Sequence, residues 1–260
     1  MSIENIDRKS VCLKLSDLTV GYDPKKPVLK NLNLELEKGS ILSIMGPNGV
    51  GKSTLLMTIS KQLDAISGEI FIEGKKIGDY SGKELSRKLA VLFTGREVDR
   101  SETVFETVAK GRYPYTGWFG NLTADDESKV FEALEATDCM KLKDKPFEHL
   151  SDGQKQRTLI ARAIAQETEI LILDEPTGYL DLKYQIEIMD LLKRLVSEKQ
   201  MSIIISIHEI YLAGEYSDKL LMLKDNGLFA CDSPEKLMKS ETIGELFDID
   251  SSVCDRLNLF

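Results

Sequence analysis

The chain has 260 residues, 42% of them hydrophobic, which is enough to bury one full core with a subdomain attached. Its net charge of −9 argues against a nucleic-acid clamp, which would carry a basic stripe, and Cys12, Cys139, Cys231 and Cys254 are too scattered for a disulfide frame or a zinc site. No stretch approaches about 18 apolar residues, and the start, Met1 to Asp7, lacks a basic region followed by an apolar one. The expectation is a chain that neither spans a membrane nor is exported and that meets a membrane only through a partner.

Residues 11 to 36 alternate, with Val11, Leu13 and Leu15 and then Leu32, Leu34 and Leu36 set among polar neighbours. This period of two predicts half-buried antiparallel strands. The apolar run Ile41 to Met45 predicts a short buried strand that ends at a glycine-rich turn, Gly46-Pro47-Asn48-Gly49-Val50-Gly51-Lys52-Ser53. Glycines there allow successive backbone N–H groups to point inward around an anion. Lys52 can reach the β- and γ-phosphates of a nucleotide, and the Ser53 hydroxyl can ligate Mg²⁺. Ser53, Thr54, Leu55 and Leu56 begin a helix whose N-terminal dipole favours the same anion.

Gly68 to Gly74 adds a strand to the first β layer, and Lys88 to Phe93 reads as another. From 94 to about 165 the pattern turns helical. Thr103 to Glu106 forms a capping box, and Gly111 and then Pro114 end that helix. Thr123 to Asp126 starts the next, which carries Val130, Phe131 and Leu134. Ser151-Asp152-Gly153-Gln154 fits a further capping box, with Ser151 as N-cap and Gln154 reaching back. Leu159, Ile160, Ala163 and Ile164 then form one buried face. An uncovered helix start with a Ser hydroxyl and a Gly N–H is also an anion site.

From 166 onward strands and helices alternate, as in a parallel α/β sheet. Ile170 to Leu173 suits a strand covered on both faces, ending at Asp174-Glu175-Pro176. In phosphoryl transfer an Asp here holds Mg²⁺, and the following Glu serves as general base toward water. A second apolar run, Ile203 to Ile207, precedes His208, and Ser233-Pro234-Glu235 opens a late helix with Pro at its first position. The last dozen residues suggest nothing.

The order of these blocks resembles the ATP-binding-cassette (ABC) ATPases over about residues 11 to 240. The resemblance implies a P-loop NTPase of α/β class: a RecA-like core with an antiparallel β subdomain (11–93 and 166–245), an inserted α-helical subdomain (94–165) and a tail (246–260). It implies ATP held by Gly46 to Thr54 (with Pro47, Asn48, Gly49, Val50, Gly51, Lys52 and Ser53 between them), Tyr22 stacked on adenine, and Mg²⁺ on Ser53 and Asp174. Glu175 is then the base, His208 a contact to the γ-phosphate and Asp181 a signal across a dimer. Ser151, Gly153 and Gln154 would close over the nucleotide held by a second copy of the chain. Two departures stand out. Asp152 replaces the first glycine of the usual Leu-Ser-Gly-Gly-Gln and is expected to point away from the anion. Thr94 stands where the family carries a glutamine beside Mg²⁺; its hydroxyl can ligate a metal but is shorter and has no amide, so the metal-site role is expected to pass to Thr94, to pass to a bridging water, or to be weakened.

Gly111-Arg112-Tyr113-Pro114-Tyr115 resembles the cassette subunits of importers for ferric siderophores, haem and cobalamin. Those work at the cytoplasmic face of the membrane with permease subunits and, indirectly, a binding protein. Val104, Phe105, Tyr113, Tyr115 and Trp118 are expected to offer a groove for a permease helix, rimmed by Arg96, Glu97 and Asp99. The alternatives are an importer for another substrate, or a soluble ABC ATPase of a cytosolic assembly such as iron–sulfur cluster loading. DNA-repair and translation members carry long coiled coils or tandem cassettes, and the sequence has neither.

Overall fold

The computed structural model describes residues 10–93, 101–117, 120–225 and 227–256. The first half of the chain runs β1 (Val11–Val20), β2 (Leu29–Glu37), β3 (Ile41–Met45), α1 (Lys52–Ile59), β4 (Ser67–Ile72), β5 (Lys75–Lys76), α2 (Gly82–Ser86), β6 (Leu89–Phe93), α3 (Val104–Ala109) and α4 (Ala124–Ala136). The second half runs α5 (Asp152–Ala165), β7 (Ile170–Asp174), α6 (Leu182–Lys199), β8 (Ser202–Ser206), α7 (Ile210–Tyr216), β9 (Lys219–Lys224), β10 (Gly227–Asp232), α8 (Pro234–Leu237), α9 (Ser240–Phe247) and α10 (Ser251–Arg256).

One sheet has the order β2-β1-β4-β5, and its pairings are antiparallel. The other has the order β10-β9-β3-β8-β7-β6, parallel throughout except for the pairing of β10 with β9. The expected α/β core with its antiparallel layer and inserted helices is therefore the one observed. All five residues of β3, β7 and β8 are buried, and alternate side chains serve two different cores. Leu42, Ile44, Ile170, Ile172 and Ile204 pack with the antiparallel layer and α1. Ile41, Met45, Leu171, Leu173, Ile203 and Ile205 pack toward the helices. An apolar face on each side is what makes these strands read as continuous apolar runs.

The period of two over residues 11 to 36 holds in β2 from Leu32 onward and breaks in β1. There Cys12 and Leu13 are both buried, and the β1–β2 pairing shifts register between Val11 and Leu13. The bulge turns two consecutive side chains to the same side. The C-terminal stretch is also more ordered than its sequence suggests: Cys254 of α10 is buried against the main core together with Ile243 and Leu246 of α9.

At the N-terminal ends of the parallel strands, four charges tie the layers together. Lys38 lies 2.5 Å from Glu73 and 3.2 Å from Glu169, while Lys88 lies 2.7 Å from Glu73 and 2.5 Å from Glu169. Hydrogen bonding within this cluster, with Glu169 and then Lys38 and Lys88, holds the Glu73 carboxyl down to about 2. The opposite ends of the same strands are thereby left for chemistry.

Candidate functional site

Three neighbouring strands, β3, β8 and β7, deliver the functional loops at their C-terminal ends. After β3 the chain turns through Gly46 at φ 147° into a conformation that suits glycine, and a Cβ there would sit 2.3 Å from the Leu223 carbonyl oxygen. Gly51, at φ 110°, is the N-cap of α1 and offers no capping side chain, and no acidic residue occupies the first turn. The amide donors at this helix start are left for an anion rather than for the chain's own carboxylates.

Lys52 is 5% exposed. Its Nζ donates to the carbonyl oxygens of Gly46 at 2.9 Å and Pro47 at 3.2 Å, using two of three donors. Burial pushes the Lys52 ammonium below its ordinary range, and the charges of Glu175 and Asp174 oppose that shift. A phosphate would reverse the desolvation cost, as an opposite charge favours the ionised form. Ser53 is exposed and Thr54 is buried. Tyr22, 69% exposed, sits beyond β1 with its hydroxyl 3.5 Å from Met57 Sδ, so its ring stands beside α1.

Asp174 ends β7, and its Oδ1 accepts from Ser206 Oγ at 2.5 Å. Glu175 adopts φ 50°, a left-handed conformation uncommon for a side-chain-bearing residue. The backbone N–H of Glu175 holds it there by donating to Ser206 O at 3.2 Å and Ser206 Oγ at 2.9 Å. Strain of this kind persists where the surroundings over-determine it, and it concentrates at functional sites. Two residues past Ser206, His208 Nε2 lies 2.6 Å from Glu175 Oε1. The structure thus brings Lys52, Asp174, Glu175 and His208 to one sheet edge. Ser206 was missed by sequence reasoning. The only signal was a hydroxyl at the end of an apolar run, and its partners became visible only through the β7–β8 pairing.

The second block behaves differently. Ser151 caps α5, its hydroxyl accepting from Gln154 N at 3.4 Å while Gln154 Oε1 accepts from Ser151 N at 3.1 Å, so the capping box forms as expected. Asp152 is turned outward toward Lys155 at 3.5 Å, with 77% of its side chain exposed. Gly153 packs on Tyr184 of α6, and a Cβ would lie 2.9 Å from that ring. Asp181 caps the same α6, accepting from Tyr184 N at 3.1 Å. Among the described residues no hydrogen bond or ion pair joins Ser151, Gly153 or Gln154 to residues 46–54 of the same chain.

Part of the expected groove is not a groove. Val104 is fully buried in the core. The guanidinium groups of Arg87 and Arg112 stand 4.8 Å and 4.0 Å from the centre of the Tyr115 ring, whose hydroxyl donates to Gln166 O at 3.0 Å. Phe105 packs on Phe131, centroids 5.4 Å apart, and among the described residues of the expected groove Tyr113, 57% exposed, is the open aromatic. Amphipathic spacing could not separate a core-facing Val from a surface one here, because α3 is packed by both α4 and α5. Thr94, Arg96, Glu97, Asp99, Trp118 and Phe119 lie outside the described residues.

The family model described as ABC transporter matches residues 29–178. The petrobactin import ATP-binding protein YclP of Bacillus subtilis is 40% identical over 224 residues, covering 86% of this chain and 88% of the relative. The ferric enterobactin transport ATP-binding protein FepC of Escherichia coli is 36% identical over 243 residues, covering 94% and 89%. Among solved structures, an ABC transporter described as of metal-chelate type, in an inward-facing conformation, matches with TM-score 0.81 at 28% identity over 92% of this chain and 90% of that one. A dimeric ATP-binding cassette in a post-hydrolysis state with ADP and Pi matches with TM-score 0.74 at 29% identity, covering 85% and 98%.

Proposed function

The chain belongs to the ABC transporter family, and we propose that it is the ATP-hydrolysing subunit of an importer for ferric siderophores or a related metal chelate. The observation that carries the catalytic half is the Glu175–His208 contact of 2.6 Å, at the sheet edge beside the Lys52 loop. The names of the petrobactin and enterobactin relatives support the cargo.

In this reading the 46–54 loop and Lys52 bind the phosphates of ATP, and Tyr22 covers the adenine. Ser53 and Asp174 are hard oxygen donors, the kind Mg²⁺ selects, and no cluster of three or more His, Cys, Asp or Glu competes for a metal among the described residues. They would hold Mg²⁺, which would supply charge neutralisation for the transferred phosphoryl group. Glu175 accepts a proton from the attacking water. His208 orients the Glu175 carboxylate and reaches the γ-phosphate.

Ser151, Gly153 and Gln154 cap the nucleotide of a second copy, which explains why they have no partner in the cradle of their own chain. The closed dimer is then favoured by ATP and released by hydrolysis, and permease subunits convert the closure into transport. No helix of the described residues is long and apolar enough to cross a membrane, so attachment is through those subunits. The face between residues 94 and 118 is the part that meets them, Tyr113 included, and a binding protein delivers the chelate from the far side.

Uptake of a radiolabelled ferric siderophore tests the proposal, in cells whose own copy of the gene is deleted and replaced. The wild-type chain should restore uptake, and Lys52→Ala should leave it at the background of the deletion. Equal uptake with and without the gene, for hydroxamate and catecholate chelates alike, would contradict it.

A further inference from the structure

Behind the Glu175–His208 pair lies a set of hydrogen bonds that the nucleotide reading leaves unused. Glu209, the residue after His208, accepts from Thr177 Oγ1 at 3.0 Å and from Gln185 Nε2 at 2.9 Å. Gln185 Nε2 also reaches the Thr177 carbonyl oxygen at 3.4 Å, and its Oε1 accepts from the Tyr211 hydroxyl at 2.6 Å. The backbone N–H of Gln185 donates to Asp181 O at 3.0 Å, one turn from the helix cap. One residue therefore ties together the segment after Glu175, the cap of α6 and the segment after His208, the first and third through its side chain and the second through its backbone N–H.

We infer that Gln185 is a positioning residue that locks the 175–181 segment to the 208–211 segment through Glu209, fixing how Glu175 and His208 face each other. The inference rests on the assignment of Glu175 and His208 given above.

Three features support it. Thr177 is 1% exposed, so its hydroxyl has a fixed partner rather than water. Glu209 has no ion pair among the described residues, so its side chain is held by the neutral donors of Thr177 and Gln185. The 175–181 segment is itself cross-linked, Gly178 N to Glu175 O at 3.1 Å and Leu180 N to Thr177 O at 3.3 Å, so a displacement at Asp181 is passed toward Glu175. Where Asp181 meets a second copy of the chain, the lock would carry that contact to the catalytic pair.

The test measures kcat and KM for MgATP on the purified full chain, together with its melting temperature. Gln185→Leu and Thr177→Val should each lower kcat by about 10- to 100-fold with KM for ATP little changed, the scale expected for a misplacement of about 1 Å. Gln185→Glu alone sets two carboxylates against each other and should be as defective. The exchange Gln185→Glu with Glu209→Gln restores the bond between positions 185 and 209 in reverse order, with Tyr211 still donating to position 185 and Thr177 to position 209, and gives up only the long 3.4 Å bond to the Thr177 carbonyl oxygen. It should return kcat to within about 3-fold of wild type, against the loss of about 10-fold or more in the single variant. Wild-type kcat in Gln185→Leu and Thr177→Val, or an exchange no better than the single variant, would overturn the inference. A Glu175→Gln arm keeps the two readings apart: full activity there rejects the base assignment itself, whereas a dead Glu175→Gln beside unaffected Gln185 variants rejects the lock alone.

Discussion

Glu175→Gln is expected to lower the rate of ATP hydrolysis by about 10²- to 10⁴-fold, the usual contribution of general acid–base catalysis. The amide is nearly the same shape, so the left-handed backbone at φ 50° and the N–H bonds to Ser206 should survive. The contact to His208 at 2.6 Å can also persist, since a ring nitrogen can pair with either an oxygen or an amide. What is lost is the ability to take a proton from water. ATP affinity should therefore stay within a few-fold of wild type, because the cradle and Lys52 are untouched. Phosphate release under excess MgATP, alongside nucleotide binding by fluorescence, checks both halves. Hydrolysis at the wild-type rate would remove Glu175 from the mechanism.

Arg112→Met should cost stability rather than chemistry. The Arg112 side chain is 3% exposed and donates to Asp126 at 2.9 Å, to the Ala165 carbonyl oxygen at 2.7 Å and to Glu167 at 2.8 Å. Asp126 is itself buried and caps α4, accepting from Thr123 N at 3.0 Å and Thr123 Oγ1 at 2.7 Å. Removing the guanidinium leaves that carboxylate uncompensated, which for a buried pair costs about 3–5 kcal/mol. In a domain of this size that corresponds to a fall of about 6–20 °C in melting temperature. Gly111 beside it is equally constrained, since a Cβ would lie 2.2 Å from the Arg162 carbonyl oxygen. Thermal unfolding followed by circular dichroism checks the size of the effect. A melting temperature unchanged within about 2 °C would mean that the helices α3, α4 and α5 are held by apolar packing alone.

That result also bears on how the Gly111 to Tyr115 segment is read. As sequence it stood out only by resemblance and as a helix stop. In the structure it is a clamp: Gly111 lets the chain approach α5, Arg112 ties α4 to the end of α5, and Tyr115 stacks on Arg112. The clamp was illegible beforehand because its partners lie 14 to 55 positions away.

What could be read from sequence was local. The capping boxes at Thr103 and Ser151 span four residues each and formed as expected, and the helix start at Thr123 proved to be a third such box. So did the buried runs of β3, β7 and β8, whose two-sided cover follows from their unbroken apolar content. The Ser206 bridge to Asp174 and the Glu209–Gln185–Thr177 lock stayed hidden, since each needs the sheet order or the packing of α6 beside α7 before its partners are neighbours. The expectation for Val104 failed for a related reason: a helical face can be assigned from spacing, but not the number of elements that cover it.

The central claim is that two copies of the chain enclose each nucleotide, one through Lys52 and its loop and the other through Ser151 and Gly153. Light scattering on Glu175→Gln, with and without MgATP, tests it most directly. A particle of twice the 29.2 kDa chain mass with MgATP, reverting to a single chain when Ser151→Arg is added although ATP still binds, is the predicted result. A single chain at saturating MgATP, or a dimer that Ser151→Arg leaves intact, would contradict it.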